Sequence, residues 1–172
     1  MPRILIVTGE ASGDLHGAHL VKALKELSPA LQIVGVGGAS MRAAGAELVK
    51  DIPQLDVMGL IGLSAVKTML QRISRIRTLI KGERWDLVVL IDNPGLNFHF
   101  ARVARACGLK VLYYIAPQVW AWRRGRMRWI QQRVDHVVHA SGGAEHAVEV
   151  IVADAVQGVA VVLLQDPGEA LH

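Results

Sequence analysis

The chain combines 172 residues and a composition that is 52% hydrophobic with a formal net charge of +4 and a single cysteine, Cys107. These values exclude a disordered chain, an intramolecular disulfide framework and a cysteine-rich zinc site, and they favour a reducing compartment. All 19 Lys and Arg residues lie at or before Arg133, so residues 1–133 carry a formal charge of +10 and residues 134–172 a charge of −6. A basic body favours an anionic partner such as phosphorylated lipid, a membrane surface or nucleic acid, whereas ordinary solubilising charge is the alternative explanation.

The sequence predicts neither a membrane span nor a signal peptide. Its longest uncharged apolar stretches, residues 57–66 and 155–164, are shorter than the roughly 20 residues needed to cross a bilayer. An apolar strand pattern begins at Ile4, without a charged region, a long apolar region and a cleavage site before it. We therefore expect a cytoplasmic protein.

The first predicted elements are a strand at residues 4–7, a loop at residues 8–14 and a helix that Pro29 ends. They predict an open α/β sheet, in which ligands bind at the carboxyl ends of the strands. Unpaired N–H groups at the helix start would attract a phosphate or an acidic sugar oxygen. The alternative is a plain capped turn, in which Ser12 or Asp14 accepts N–H bonds and the glycines only permit the bend. The candidate ligand residues of this loop are Gly9, Glu10, Ser12, Gly13 and Asp14.

The first helix is predicted to bury the apolar residues that recur at helical spacing. These are Leu15, Ala18, Leu20, Val21, Leu24 and Leu27.

A second strand at residues 31–36 leads into another glycine-rich loop, at Gly37 and Gly38. The spacing resembles a dinucleotide fingerprint from Gly35 onward, but Ser40 stands where the third glycine is required, so this motif is excluded. We predict instead that the two glycines let this loop approach a ligand beside the first loop. The elements predicted next are a helical turn at residues 41–44 and a minor strand at residues 47–50.

Residues 55–82 combine an apolar, glycine-containing segment with a basic amphipathic helix over residues 67–81. This pattern is typical of a surface that enters lipid headgroups or lines an acyl-chain groove. A crossover helix that packs its apolar stripe on the sheet gives the same pattern, and both interpretations hold if only the preceding loop meets lipid. The candidate membrane or acyl-chain residues are Val57, Met58, Leu60, Ile61, Leu63, Val66 and Met69.

The strand predicted at residues 85–91 is almost continuously apolar, as in the centre of a parallel sheet, and it places Asp92 and Asn93 at the carboxyl edge. A carboxylate in this position can act as a general base, which makes Asp92 the candidate catalytic residue, with Asn93 beside it as a substrate contact. As an alternative, Asp92 only caps a helix that starts near Asn97 and ends at Gly108.

A further strand at residues 110–116 leads into residues 117–126, which contain two Trp and three Arg residues. Trp faces stack on sugar rings or lie at a membrane interface, and Arg binds phosphate through two hydrogen bonds. The alternative is a loop that aromatic rings merely anchor. No nucleic-acid recognition motif accompanies the segment, so we expect no nucleic-acid partner. The candidate substrate-binding residues are Gln118, Trp120, Trp122 and Arg123.

Five motifs follow one another along residues 3–138. They are Gly9-Glu-Ala-Ser-Gly-Asp14, Gly35-Val-Gly-Gly38 with Met41, Val57-Met-Gly59, Ile91-Asp-Asn-Pro94 with Asn97, and Tyr114-Ile-Ala-Pro-Gln-Val-Trp-Ala-Trp-Arg123. In this order and spacing they resemble the lipid-A-disaccharide synthase family, and the last motif is close to diagnostic.

The resemblance implies an inverting hexosyltransferase with two facing Rossmann-like domains of the GT-B type, of which this chain resembles the N-terminal one. Such an enzyme joins UDP-2,3-diacylglucosamine to 2,3-diacylglucosamine 1-phosphate and releases UDP. It works at the inner face of the cytoplasmic membrane, needs no metal and no cofactor, and uses the UDP-sugar as a substrate.

The resemblance also implies roles for individual residues. Asp92 matches the base that deprotonates the acceptor 6-hydroxyl. Ser12, Gly13 and Asp14 match the first loop, which faces the cleft between the domains. Met58 matches the apolar region associated with acyl chains, and Asn97 matches the asparagine of the aspartate motif, which makes it a further candidate substrate contact.

Two departures from the family pattern define the predicted domains. The family has Pro-Asp-Phe-Asn where this chain has Pro94-Gly-Leu-Asn97, so a second aspartate is missing. After Asp135 the family continues into a second domain that holds the UDP group, whereas this chain continues into a short acidic tail. We therefore predict an acceptor-side domain at residues 1–138 and a divergent acidic tail at residues 139–172, which either adds a last helix and strand or is disordered, with the donor-binding domain absent.

Three functions are compared. The first is the acceptor-side half of a lipid A disaccharide synthase, inactive alone and dependent on a separate donor domain or a second copy. The second is a non-catalytic lipid- or membrane-binding module that keeps the fold. In both cases the expected partners are diacylated glucosamine lipids and the anionic surface of the inner membrane. The third is a metal hydrolase that uses the pairs His16 with His19 and His136 with His139, but neither pair has a carboxylate at metal-site spacing, so we expect no metal site.

Overall fold

The computed structural model describes residues 2–9, 11–50, 52, 63–114 and 134–138. They form one parallel sheet of six strands in the order β3-β2-β1-β4-β5-β6, with helices on both faces. The strands are β1 (Arg3–Thr8), β2 (Gln32–Val36), β3 (Glu47–Leu48), β4 (Leu87–Ile91), β5 (Lys110–Tyr114) and β6 (His136–Val138). The helices are α1 (Ala11–Leu27), α2 (Ala39–Ala43), α3 (Leu63–Gly82) and α4 (Pro94–Ala106). The predicted fold class, an open parallel Rossmann-like sheet flanked by helices, is confirmed.

Alternate residues of the central strands enter two separate cores, as the two-residue period of a strand requires. Ile4 and Ile6 of β1 pack with α1 and α2 on one face of the sheet. Leu5 and Val7 pack with α3 and α4 on the other face. Every residue of β4 is buried, which explains why its sequence is continuously apolar.

Helix α1 buries a different set of residues from the one predicted. Leu20, Val21 and Leu24 are in the core, but Leu15 is 53% exposed and Leu27 is 63% exposed. The inward positions of the first turns belong to smaller residues, including Gly13 and Gly17, because the helix passes close to the end of β1. A methyl group on Gly13 would lie 3.2 Å from Thr8 Cβ, which is closer than an ordinary van der Waals contact.

Helix α3 is longer than the strands that it covers. Its second half packs on the sheet through Ile76 and Ile80, while Val66 and Leu70 in the first half are more than half exposed. Arg72 contacts the carboxyl end of β1, and the ten residues from there to Gly82 rise about 15 Å, roughly the length of a five-residue strand. The turns before Arg72 therefore extend past the carboxyl edge of the sheet.

Most element boundaries differ from the predictions by a few residues. Helix α3 begins at Leu63, four residues earlier than predicted, and α4 begins at Pro94, three residues earlier. Strand β6 was not predicted, because three residues are too few to show a pattern. In the described part of the chain, no helix combines the length and apolar character of a membrane span. The tail predicted at residues 139–172 lies outside the described residues.

Cys107 is exposed and forms the C-cap of α4, at the end of the helix far from the carboxyl edge of the sheet. Gly108 follows in a left-handed conformation with a φ of 74°, the usual way in which a helix ends.

Candidate functional site

The loops after β1 and β4 leave the sheet in opposite directions. Thr8 and Ile91 lie side by side in the register of the two strands, so Gly9 and Asp92 emerge at the same level. The loop after β1 leads to α1 on one face, whereas the loop after β4 leads to α4 on the other face. A crevice opens where the connections after two neighbouring strands go to opposite faces of the sheet, and this is where open α/β sheets bind ligands.

Thr8, the last residue of β1, is the point to which the surrounding elements are tied. Its hydroxyl donates to the carbonyl of Val36 at the end of β2, with an oxygen to oxygen distance of 3.1 Å. Its carbonyl accepts a hydrogen bond of 2.8 Å from Nη2 of the buried Arg72 in α3. Burial lowers the pKa of the Arg72 guanidinium from its usual value. The first loop is therefore anchored both to β2 and to the helix that extends past the sheet edge.

Asp14 joins the first loop to the second loop. Its Oδ1 accepts hydrogen bonds from the backbone nitrogens of Gly38, at 2.7 Å, and Met41, at 3.3 Å, and its Oδ2 accepts one of 3.0 Å from Ser40. We call these four residues the Asp14 clamp. Its carboxylate caps α2, which has no side-chain cap of its own. The capping interpretation of Asp14 thus holds for a neighbouring helix and not for α1, and any contact of Asp14 with substrate stays a prediction.

Glycines in the loops after β1 and β2 allow close approach to neighbouring residues. A methyl group on Gly38 would lie 2.7 Å from Asp14 Oδ2, and one on Gly37 would lie 2.5 Å from Met41 Sδ. A methyl group on Gly9 would lie 2.5 Å from Nδ2 and 2.7 Å from Cβ of Asn93. Real Cβ atoms do not lie this close to other heavy atoms. The first loop can therefore touch the loop after β4 only because Gly9 has no side chain.

Asp92 and Asn93 adopt left-handed backbone conformations, with φ angles of 51° and 42°. Residues 91–93 are called the Asp92 turn below. The Asn97 amide donates to the carbonyl of Ile91 at 3.0 Å and also to the carbonyl of Asp92. The hydroxyl of Tyr113 in β5 donates to the carbonyl of Asp92 at 2.7 Å. Consecutive left-handed residues without glycine are strained, and the surrounding hydrogen bonds sustain that strain.

The side chains of the Asp92 turn differ in what they contact. Asn93 Oδ1 accepts a hydrogen bond of 3.4 Å from the backbone nitrogen of Leu96 and so caps α4. The Asp92 carboxylate is partly exposed, and within the described residues no hydrogen bond or ion pair engages it. Asn93, and not Asp92, is therefore the capping residue.

The structure brings eight of the predicted site residues to this edge of the sheet: Gly9, Gly13, Asp14, Gly37, Gly38, Asp92, Asn93 and Asn97. Ser12 is exposed in the first turn of α1. Asn97 is 1% exposed, and its amide binds backbone carbonyls. The remaining substrate candidates, Glu10, Gln118, Trp120, Trp122 and Arg123, lie outside the described residues.

The membrane and acyl-chain candidates divide in the same way. Val57, Met58, Leu60 and Ile61 lie outside the described residues, and for Leu63 only the helical backbone is described. Val66 is 57% exposed and Met69 is half-buried, both in the part of α3 that extends past the sheet. Their contact with lipid stays a prediction.

Three residues of the site were not predicted: Thr8, Arg72 and Tyr113. The sequence contained a signal for Arg72, because it lies three residues after Met69 and four before Ile76, inside the apolar stripe of α3. The strand pattern predicts that Tyr113 is buried. It does not predict that the hydroxyl reaches the carbonyl of Asp92 at the end of β4. No local pattern distinguishes Thr8 from an ordinary loop residue, because its hydroxyl bonds a residue of β2.

Within residues 2–9, 11–50, 52, 63–114 and 134–138, no group of three or more His, Cys, Asp or Glu side chains is placed to hold a metal ion. His16 and His19 are both exposed on α1.

The fold and the crevice define a Rossmann-like domain of the kind found in GT-B glycosyltransferases and related epimerases. A solved structure of the S. aureus protein MnaA with UDP is similar, with a TM-score of 0.55 and 17% identity, covering 87% of this chain and 40% of that one. This likeness concerns the fold alone.

The sequence comparison is more specific. The sequence model described as lipid-A-disaccharide synthetase matches residues 4–140, and the chain belongs to that family. It is 47% identical over 136 residues to the lipid-A-disaccharide synthase of Geobacter metallireducens and 44% identical over 135 residues to that of Coxiella burnetii. These alignments cover 78% of this chain but 35% and 36% of the two relatives, so the chain spans about a third of their length.

Proposed function

We propose that this chain is the acceptor-side domain of a lipid A disaccharide synthase, in which Asp92 is the general base. The reaction would transfer the sugar of UDP-2,3-diacylglucosamine to 2,3-diacylglucosamine 1-phosphate. The observation that supports this most is the Asp92 carboxylate, which stands at the crevice on a fixed backbone and is engaged by no described residue. A second carboxylate nearby, that of Asp14, is bound by three N–H groups and so is a poorer candidate for a base.

In the proposed reaction the Asp92 carboxylate removes the proton of the acceptor 6-hydroxyl. The acceptor oxygen then forms a bond to the anomeric carbon of the donor sugar, the bond from that carbon to the UDP oxygen breaks, and UDP leaves with the electron pair. Configuration at the anomeric carbon inverts because attack and departure occur on opposite faces. A positioned base typically contributes 10²- to 10⁴-fold to such a step.

Capture of the departing UDP requires groups that we expect outside the described residues. Charge that develops on a leaving group is stabilised by donors placed around it, and this is usually a large part of catalysis. The relatives carry about two thirds of their length beyond the aligned part. We propose that residues 1–172 alone turn over little or not at all, and that a donor-binding domain or a second copy supplies what is needed.

The first half of α3 supports a lipid-facing role. Val66 and Leu70 are exposed one turn apart, and the exposed Lys67 lies beside this pair on the helix. An apolar pair beside a cation can enter the headgroup region of an anionic bilayer. We propose that this surface meets diacylated glucosamine lipids at the inner face of the cytoplasmic membrane, as a peripheral protein in the cytoplasm.

A reconstituted transfer assay tests the proposed reaction. This chain is assayed alone and together with the separately produced remainder of the Geobacter metallireducens relative, and we expect activity only in the combination. Asp92→Asn should then lower the rate about 10³-fold with the fold intact. Asp86→Asn is the matched control, because Asp86 directly precedes β4 as Asp92 directly follows it and is exposed at the opposite edge. Equal rates for the two variants would contradict the role of Asp92.

Vesicle flotation tests the alternative, a lipid-binding module without transfer, which the exposed Val66 and Leu70 favour. Replacement of both residues by serine should reduce binding to anionic vesicles, while Leu27→Ser, which changes an equally exposed leucine of α1, should not. Binding should also weaken with added salt, because exposed charges are screened. Lipid binding without transfer in any combination would favour the alternative over the enzyme.

A further inference from the structure

The proposed general base, Asp92, lies in a turn with an unfavourable backbone conformation. Asp92 and Asn93 both have positive φ angles, and neither is glycine. Such a conformation is unfavourable for residues other than glycine and persists only where the surroundings impose it. The groups that impose it therefore decide where the Asp92 carboxylate points.

Three hydrogen bonds fix the carbonyls on either side of the Asp92 nitrogen and Cα. The Asn97 amide reaches the carbonyls of Ile91 and Asp92 from within α4, where Asn97 is almost fully buried. The Tyr113 hydroxyl reaches the Asp92 carbonyl from the neighbouring strand β5 at 2.7 Å. Two elements thus hold one peptide group from different directions.

Tyr113 is suited to a fixed position. Its ring is fully buried and packs against Phe98, with ring centroids 6.0 Å apart at an angle of 43°. Burial raises the pKa of the phenol, and the nearby Asp92 charge adds to the rise while the Asn97 hydrogen bond opposes it. The hydroxyl therefore stays protonated, and remains a donor, throughout the range in which an enzyme works.

We infer that Tyr113 is a positioning residue for the transfer reaction, which acts through the Asp92 carbonyl and aims the Asp92 carboxylate into the crevice. The peptide planes of the Ile91 and Asp92 carbonyls meet at the Cα of Asp92, so hydrogen bonds that fix both planes also fix the direction of its Cα–Cβ bond. Asn97 holds the other side of the same turn. This inference rests on the proposed role of Asp92 as the base.

Tyr113→Phe tests the inference because it keeps the ring and removes only the hydroxyl. In the chain alone, hydrogen exchange of the Asp92 amide, which donates to the Tyr114 carbonyl, should become about fivefold faster, the change expected for one lost hydrogen bond. In the reconstituted assay, kcat should fall about tenfold or more, as expected for a misplaced reacting group, with an unchanged KM for the acceptor. Thr78→Val is the control, because it removes a hydroxyl that donates to the Ser74 carbonyl on the exposed side of α3.

The outcomes separate this inference from the proposed function. If the Asp92 amide exchanges at the same rate in Tyr113→Phe as in Thr78→Val, the hydroxyl does not hold the turn and the inference is wrong. It is also wrong if kcat is unchanged, or if kcat and KM shift together with a lower melting temperature, because the hydroxyl then serves stability only. Failure of the proposed function looks different: Asp92→Asn would keep its transfer activity, whatever Tyr113→Phe does to exchange.

Discussion

The Asp14 clamp and the Asp92 turn each place a carboxylate at the same edge of the sheet, but the two carboxylates have different surroundings. The Asp14 side chain is 8% exposed and accepts three backbone N–H bonds, so it connects α1 to α2. In Asp92, by contrast, the backbone carbonyl accepts hydrogen bonds from neighbouring side chains, while none of the described residues engages the carboxylate. Position at the carboxyl edge therefore does not by itself define a role, and the bonds that each carboxylate already makes distinguish them.

The largest effect on stability is expected at the clamp. Asp14→Ala should lower the free energy of unfolding by roughly 2–4 kcal/mol, because three N–H groups in a buried setting lose a charged acceptor. Urea unfolding of the isolated chain measures this. Glu26→Ala, which removes an exposed carboxylate from the same helix, should stay within about 0.5 kcal/mol of the parent chain. Similar losses in the two variants would remove the distinction between clamp and surface charge.

A smaller loss of stability is expected when a methyl group is added within the Asp14 clamp. Gly38→Ala should cost about 1–3 kcal/mol, because the added methyl group meets Asp14 and the loop must shift. Gly95→Ala is the matched control in the first turn of α4, where the nearest atom to a new methyl group is Asn93 Oδ1 at 3.8 Å. The control should be neutral or slightly stabilising, as alanine favours helix. The reverse ranking in urea unfolding would show that the second loop is not held tightly.

The pH dependence of stability probes the turn. The pKa of Tyr113 is raised in the folded chain, whereas unfolding returns it to the ordinary value of about 10. The stabilisation that the raised pKa of Tyr113 gives to the folded chain is therefore complete below about pH 10. As the pH rises above that value, the free energy of unfolding falls by at most about 1.4 kcal/mol per pH unit. The parent chain should lose more stability between about pH 9 and 11 than Tyr113→Phe does. Burial also raises the pKa of Tyr114, but that contribution is common to both proteins. Parallel curves would contradict this assignment.

The smallest effect is expected at Asp92 itself. Asp92→Asn should change the free energy of unfolding by less than about 0.5 kcal/mol, since the side chain has no described partner to lose. Together with the large loss of transfer expected for the same variant, this would set Asp92 apart from Asp14. A strongly destabilised Asp92→Asn chain would instead show that its carboxylate supports the fold.

Most elements could be predicted because β1, β2 and β4 are each followed directly by a glycine or an aspartate, and because the three longer helices have an apolar stripe. Apolar runs at residues 4–7 and 85–91 lie within a residue or two of β1 and β4, and parallel strands bring their ends to one edge. This was sufficient to place Asp14 and Asp92 at the same crevice. It was not sufficient to tell them apart, because Asp14 is bonded to residues 24–27 positions away along the chain.

The details of the site depend on contacts that no local pattern contains. Left-handed conformations are usually predicted from glycine, but at Asp92 and Asn93 they are imposed by a tyrosine from another strand and an asparagine from the next helix. Gly13 was interpreted as a loop residue, although it lies in α1 and brings that helix close to Thr8. Leu15 was predicted to be buried from helical spacing alone, but it is exposed.

Cys107 gives this domain a natural point of attachment for a probe. It is the single cysteine of the sequence, it is exposed, and it lies at the far end of α4 from the Asp92 turn. The thirteen residues of that helix place the thiol about 20 Å from the crevice. A spin label or fluorophore on this sulfur could therefore report how the domain is oriented on a vesicle without touching the groups that bind lipid or sugar.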